Sequence, residues 1–235
     1  VGQQGAFTFL PNGMVYSEQL IIFSLPASAT FAALQAQPHD AWMRFLGSSM
    51  KDDLRYTPED CFETFPFPVG FESHPALEVV GESCYAFRAN LMIRTNLGLT
   101  KTYNRFHDPA EHDPDIQRLR DLHQAMDEAV LEAYGWSDLL PQLEYGFYPD
   151  FEPTEDDDGE SAKVRLRYRW PNGLREEVLG RLLDLNAQRA AEEAETRRQR
   201  ETLETKTTPK RTRKPKLSMA AETVTPYLIN PEDLQ

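Results

Sequence analysis

Cysteine is scarce in this 235-residue sequence, and the two that exist, Cys61 and Cys84, lie far apart and outside any Cys-x-x-Cys spacing. That excludes a disulfide framework and a cysteine zinc site, and makes a reducing, cytoplasmic setting the expectation. Long apolar runs are also missing: none approaches the roughly 20 residues of a membrane span. The opening residues do not read as a basic-then-apolar signal peptide. Nor is there a Gly-rich phosphate loop or a Gly-x-Ser-x-Gly elbow, so nucleotide-cradling and serine-hydrolase chemistry have no place in this chain.

What is present reads as globular over most of its length, with 40% hydrophobic and 11% aromatic residues. The net charge of −13 is unevenly spread. Residues 1–110 hold 7 basic and 11 acidic side chains, residues 111–160 hold 2 and 16, and residues 161–235 hold 16 and 11. Bulk charge repels nucleic acid, but binding depends on local patches, so the sum decides nothing. The chain begins at Val1, and residues 1–13 read like the interior of a domain, which suggests a fragment or a split product.

Residues 7–10 and 14–25 carry strand patterns joined by a Pro11-Asn12-Gly13 turn, so a hairpin is predicted there. Thr30 is placed to cap a short helix carrying Phe31 and Leu34. A second helix is expected from Pro38, with Trp42, Phe45 and Leu46, ending at Gly47. Asp113-Pro114 predicts a further helix with Ile116, Leu119, Leu122, Met126 and Val130 on one face and Gly135 beyond its end. Residues 150–160 hold seven acids in eleven positions and read as a solvated linker. A short strand over 163–170 and a helix from Gly173 follow, the helix with Leu174, Val178, Leu182 and Leu185 in a stripe that stops at Asn186. Beyond it, 187–204 is charged all round. Residues 205–216 hold six cations, no acid and two prolines, and are expected to be a disordered basic tether adding sequence-independent phosphate affinity.

Three patterns imitate sites without meeting their frames. Asp156-Asp157-Asp158-Gly159 resembles a calcium loop, but the frame then puts Thr154 at its first position and Arg165 at its last. Glu160-x-x-Lys163 sends its two side chains to opposite faces of a strand, unlike the Glu-x-Lys of a nuclease site. His107 and His112 are five apart with Pro109 between, which is no standard ligand spacing. No metal site is expected.

Residues 51–68, K-D-D-L-R-Y-T-P-E-D-C-F-E-T-F-P-F-P, crowd three phenylalanines and two prolines into their last seven positions. Pro66 and Pro68 hold the residues before them extended. Together with Pro38-His39-Asp40-Ala41-Trp42, Gly98-Leu99-Thr100-Lys101-Thr102-Tyr103-Asn104-Arg105-Phe106, Ala133-Tyr134-Gly135-Trp136 and Tyr168-Arg169-Trp170-Pro171, this strip resembles the C-terminal region of type IIG/IIL-like restriction–modification and phage-defence adenine-specific DNA methyltransferases. The ordered features run over about residues 5–190.

The resemblance implies the end of a target-recognition domain followed by a helical tail. It implies an α+β chain: a small β-containing recognition subdomain over 1–70, a mainly helical region over 71–149 and an acidic linker over 150–162. A strand and long helix over 163–204 and a basic, largely disordered tail over 205–235 complete it. The catalytic domain, which binds S-adenosylmethionine, lies upstream in that family. This chain has no Pro-Pro of the base-holding loop, so no cofactor site and no independent methyltransferase activity are expected here. Implied partners are double-stranded DNA and an upstream methyltransferase domain or subunit; no membrane is involved. Phe62, Phe65 and Phe67 are read as a wedge at the exit of the recognition region. Candidate DNA-contacting residues are Lys51, Arg55 and Tyr56, and a second group of Arg88, Arg94, Lys101, Tyr103, Asn104 and Arg105, which mixes cations for phosphates with groups able to stack on or read bases. The competing readings are a protein-interaction module of a defence complex and a truncated gene product without activity of its own.

Overall fold

The computed structural model describes residues 5–17, 20–50, 53–149 and 166–207. The chain divides into two units, Val1–Glu192 and Glu193–Gln235. In order, the elements are α1 (Ser28–Gln35), α2 (Gln37–Leu46), β1 (Ser48–Met50), β2 (Asp53–Arg55), α3 (Pro58–Cys61), α4 (Pro75–Thr95), α5 (Leu99–Phe106), α6 (Pro114–Ala133), β3 (Gly146–Pro149), β4 (Leu166–Arg169) and α7 (Asn172–Thr207). Helix dominates, and the strands form two separate antiparallel pairs, β1 with β2 and β3 with β4.

Helix α6 forms where its sequence signals place it. The Asp113 carboxylate accepts from Asp115 N at 2.8 Å, Pro114 occupies the first turn, and Gly135 takes a left-handed φ of 77° just past the end. Its apolar stripe is buried from Ile116 to Val130. Helix α4 packs against both α1 and α6. Its buried stripe is Leu77, Gly81, Cys84, Arg88 and Leu91, at alternating steps of four and three. Gly81 permits close approach to α1: a Cβ there would sit 2.1 Å from the Ser28 carbonyl oxygen.

Two apolar clusters result. One gathers α1, α4, α5 and α6 around Phe31, Leu77, Leu91, Phe106, Leu119 and Met126. The other joins Trp42 and Phe65 to Leu131, Leu139, Trp170, Leu174, Val178 and Leu182. The first turns of α7 thus bury the expected stripe, with Leu185 half-buried, and Asn186 ends it by donating to the Thr64 carbonyl at 2.6 Å.

Several expectations are corrected. The Pro11-Asn12-Gly13 turn forms, with Gly13 at φ 87°, but residues 7–10 and the described part of 14–25 pair with no strand. Side chains satisfy the first of these segments instead: Gln35 Oε1 accepts from Phe7 N at 3.0 Å, and Arg88 donates to the Phe7 carbonyl. Thr30 is no cap, because it lies buried inside α1; the Glu78 carboxylate of α4 accepts from Ala29 N at 2.7 Å in that role. Ahead of Pro66 and Pro68, where the chain carries no helix, residues 58–61 make a helical turn that the sequence did not announce. The strand predicted over 163–170 is observed over Leu166–Arg169, with an unforeseen partner in β3. Helix α7 continues to Thr207, past the expected end at 204. The acidic linker and nearly all of the basic tail lie outside the described residues.

Candidate nucleic-acid interface

The second group of candidates is split by the fold into an interior pair and a surface set. Arg88 is only 2% exposed. It donates to Gln35 Oε1 at 3.2 Å, to the Tyr103 hydroxyl at 3.0 Å and to the Phe7 carbonyl, and its guanidinium lies over the rings of Phe31, Tyr85 and Tyr103. Tyr103, 4% exposed, accepts from Arg88 and is hydrogen-bonded to His123 Nε2 at 3.1 Å. A cation whose donors are spent on buried acceptors has no reach to a phosphate. Arg88 and Tyr103 serve the interior, tying the chain near Phe7 to α4, α5 and α6.

The remaining members lie on the surface. Lys101 and Asn104 are exposed on α5. Arg94, 59% exposed at the end of α4, pairs with Asp115 at 2.8 Å. Arg105 is clamped by Glu111 at 2.7 Å and Asp113 at 2.8 Å. Hydrogen bonds from Arg105 hold both carboxyls below their usual range, and the same pair raises the Arg105 guanidinium further. A phosphate approaching Arg94 or Arg105 must displace a carboxylate already in place, whereas Lys101 and Asn104 form no such pair among the described residues.

Arg120 holds this surface in position. Buried on α6, it donates Nε to the Phe106 carbonyl at 3.0 Å and Nη2 to the Asp108 carbonyl at 2.9 Å, completing the C-terminal end of α5 where orphan carbonyls favour a cation. His107, next in the chain, accepts from Tyr168 N through Nδ1 at 3.0 Å, and burial keeps its ring well below the ordinary histidine range. His112 is exposed. Among the described residues no three His, Cys, Asp or Glu side chains converge as metal ligands.

Of the first group, Lys51 and the side chain of Arg55 lie outside what is described. Tyr56 is half-buried, its ring edge-on to Phe7 and Phe23, and burial raises its hydroxyl above the usual phenol range. Its hydroxyl meets His39 Nε2 at 3.2 Å. His39 Nδ1 faces the Leu34 carbonyl at 2.8 Å and Nε2 faces the Cys61 carbonyl at 3.3 Å; a neutral ring donates to only one of them, and the shorter contact puts the proton on Nδ1, leaving Nε2 to accept from Tyr56. Full burial pushes His39 down to about 4 and His123 to about 3. Asp40 beside them behaves oppositely. Burial alone would raise its carboxyl, but Arg44, Arg167 and Arg175 outweigh that and hold it below the usual range.

The aromatic strip is anchored at Phe65, which is buried against His39 at 4.8 Å and Trp42 at 6.2 Å between ring centroids. Cys61 beside it is fully buried. Phe62 and Phe67 are only half-buried: Phe67 stacks on Phe71 at 4.3 Å, and Phe62 meets Phe23 at 4.3 Å. The wedge is therefore one core ring and two rings facing an open groove.

Sequence reading missed His39, His123, Arg120 and Asp127. Asp127 accepts from Gln37 N at 2.8 Å and from the Tyr145 hydroxyl at 3.1 Å, and its burial pushes the carboxyl well above the usual range. A signal existed for three of them: Arg120, His123 and Asp127 stand at helical spacing with Ile116 and Val130, so the stripe already placed them inward. No curated protein and no solved structure matches the chain. The segment that carries Phe7, His39, Tyr56 and the aromatic strip does match: residues 6–69, 64 of the 235, fit the family model described as "MmeI, target recognition domain", consistent with the recognition region of a type IIG restriction–modification enzyme.

Proposed function

We propose that this chain supplies DNA target recognition to a phage-defence, restriction–modification adenine methyltransferase in the cytoplasm. On this reading it holds the recognition region against an upstream catalytic domain, and that domain supplies S-adenosylmethionine chemistry on a flipped adenine. The observation that carries the reading is the match of residues 6–69 to a target recognition domain. Two features support it. Arg88, Gln35 and Tyr103 spend their hydrogen bonds on fixing that segment to the helices, which suits a rigid platform for base contacts. Lys101 and Asn104 stand exposed on α5, one suited to a phosphate and the other to a base edge.

The test is salt-dependent binding of duplex DNA by the chain, measured by fluorescence anisotropy. Lys101→Ala is expected to leave the melting temperature unchanged and to flatten the log–log salt dependence by about 0.9. Binding that ignores salt, or a K101A variant indistinguishable from the parent, removes α5 from the interface.

A further inference from the structure

Residues 22–25 and the aromatic strip enclose an open groove of about 520 Å³ that the DNA reading leaves unused. Its walls are mostly apolar, with Ile22, Phe23, Phe62, Phe67 and Phe71 among them, and its charged lining residues are Glu63 and Glu72. Glu63 and Glu72 are both exposed. Three observations together say what it takes.

The first is charge. From residue 56 to residue 87 the sequence holds six carboxylates, Glu59, Asp60, Glu63, Glu72, Glu78 and Glu82, and no lysine or arginine. Of these, Glu63 and Glu72 line the groove, which holds no lysine or arginine, so a cationic partner is drawn to it and a phosphate is not. The second is backbone. Residues 21–25 are strand-like in sequence, L-I-I-F-S-L with the neighbour Leu20, lie in no helix or sheet, and form no backbone hydrogen bond among the described residues. Free N–H and C=O groups along an extended segment are a template for another strand. The third is apolar exposure: Ile22, 54% exposed, lines the groove with half-buried Phe62 and Phe67, and Leu20 and Ile21 just before it in the chain are 51% and 39% exposed. Contiguous apolar surface with a polar rim marks a protein contact rather than a solvated face.

We propose that this groove docks an extended segment of a partner polypeptide whose apolar anchor side chains are flanked by Lys or Arg. The segment pairs with the backbone of residues 21–25 as an added strand. Alternate side chains drop among Phe23, Phe62, Phe67 and Phe71, and the flanking cations meet Glu63 and Glu72. The inference is independent of the DNA reading, since the groove's charge selects against nucleic acid.

The test pans a display library of random linear peptides against the full 235-residue chain, with the Glu63→Lys/Glu72→Lys double variant as counter-target. The consensus peptide is then titrated by fluorescence anisotropy. Both glutamates are exposed, so circular dichroism should show the variant folded as the parent. The expected consensus alternates large apolar residues and carries Lys or Arg at its flanks. Its affinity should fall by about tenfold in the double variant. Ile22→Asp, at an exposed groove position, should weaken it further, and duplex DNA should not displace it. The absence of any consensus, an acidic consensus, or binding indifferent to both variants would overturn the proposal. So would displacement by duplex DNA, which would assign the groove to the nucleic-acid face and leave the DNA reading standing alone.

Discussion

Arg88 shows how a cation can be recruited away from the surface. It sits fourth in the α4 stripe Leu77, Gly81, Cys84, Arg88, Leu91, and all three of its hydrogen bonds go to groups within the fold. Arg88→Ala should cost about 3 kcal/mol or more in urea unfolding, because it leaves buried acceptors unpaired and a void beneath Phe31 and Tyr103. An unchanged midpoint would show that the network is not built as described. The spacing that buries Arg88 was legible in the sequence; composition, which counts it among the free cations, was the wrong guide. His39 and His123 add a pH dependence. Their folded values, about 4 and about 3, lie below the unfolded value near 6.5. The unfolded chain therefore binds the extra protons first. This contribution to stability is complete above about 6.5 and is lost as pH falls toward 4, whereas the raised carboxyl of Asp127 works in the opposite sense. Urea midpoints measured from pH 7 to pH 4.5 should fall, and His39→Gln should shallow that fall. A slope identical in the variant would deny His39 its share.

At the scale of elements, the α1–α4 contact is the tightest joint and rests on a missing side chain. The Ser28 carbonyl lies where a Cβ of residue 81 would project, 2.1 Å away, and backbone cannot swing aside as a long side chain can. Gly81→Ala gains helix propensity but should still destabilise by at least about 1–3 kcal/mol, with the loss read as a lower melting temperature. A rise in melting temperature would mean that the two helices can separate freely. Helix α6 was the most legible element, its cap, first-turn proline and 3.6-residue stripe all acting locally, while α2 formed with its first-turn proline but left Phe45 of the expected face 54% exposed. The predicted hairpin failed for a nonlocal reason. Side chains of Gln35 and Arg88, remote in sequence, take the backbone groups near Phe7 that a partner strand would have used. The pairing of β3 with β4 was hidden likewise, because the two strands are separated by a long acidic stretch and each is four residues long.

Over the whole molecule, a net charge of −13 coexists with a segment matched to a DNA target recognition domain, so any recognition has to be local. Of the candidate contacts, Lys101 and Asn104 stand free on the surface among the described residues, Arg94 and Arg105 are engaged by carboxylates, and Arg88 and Tyr103 are interior. The resemblance of ordered motifs carried the functional reading further than any single residue pattern could, since base-contacting geometry is set by loops that periodicity does not describe. The most direct test of the central claim is selection of bound duplexes from a library of random double-stranded DNA by the full chain, followed by sequencing. Target recognition predicts that one short motif is enriched over repeated rounds and that its affinity weakens with salt. A pool that stays random while binding persists, or one that is never retained, would contradict it.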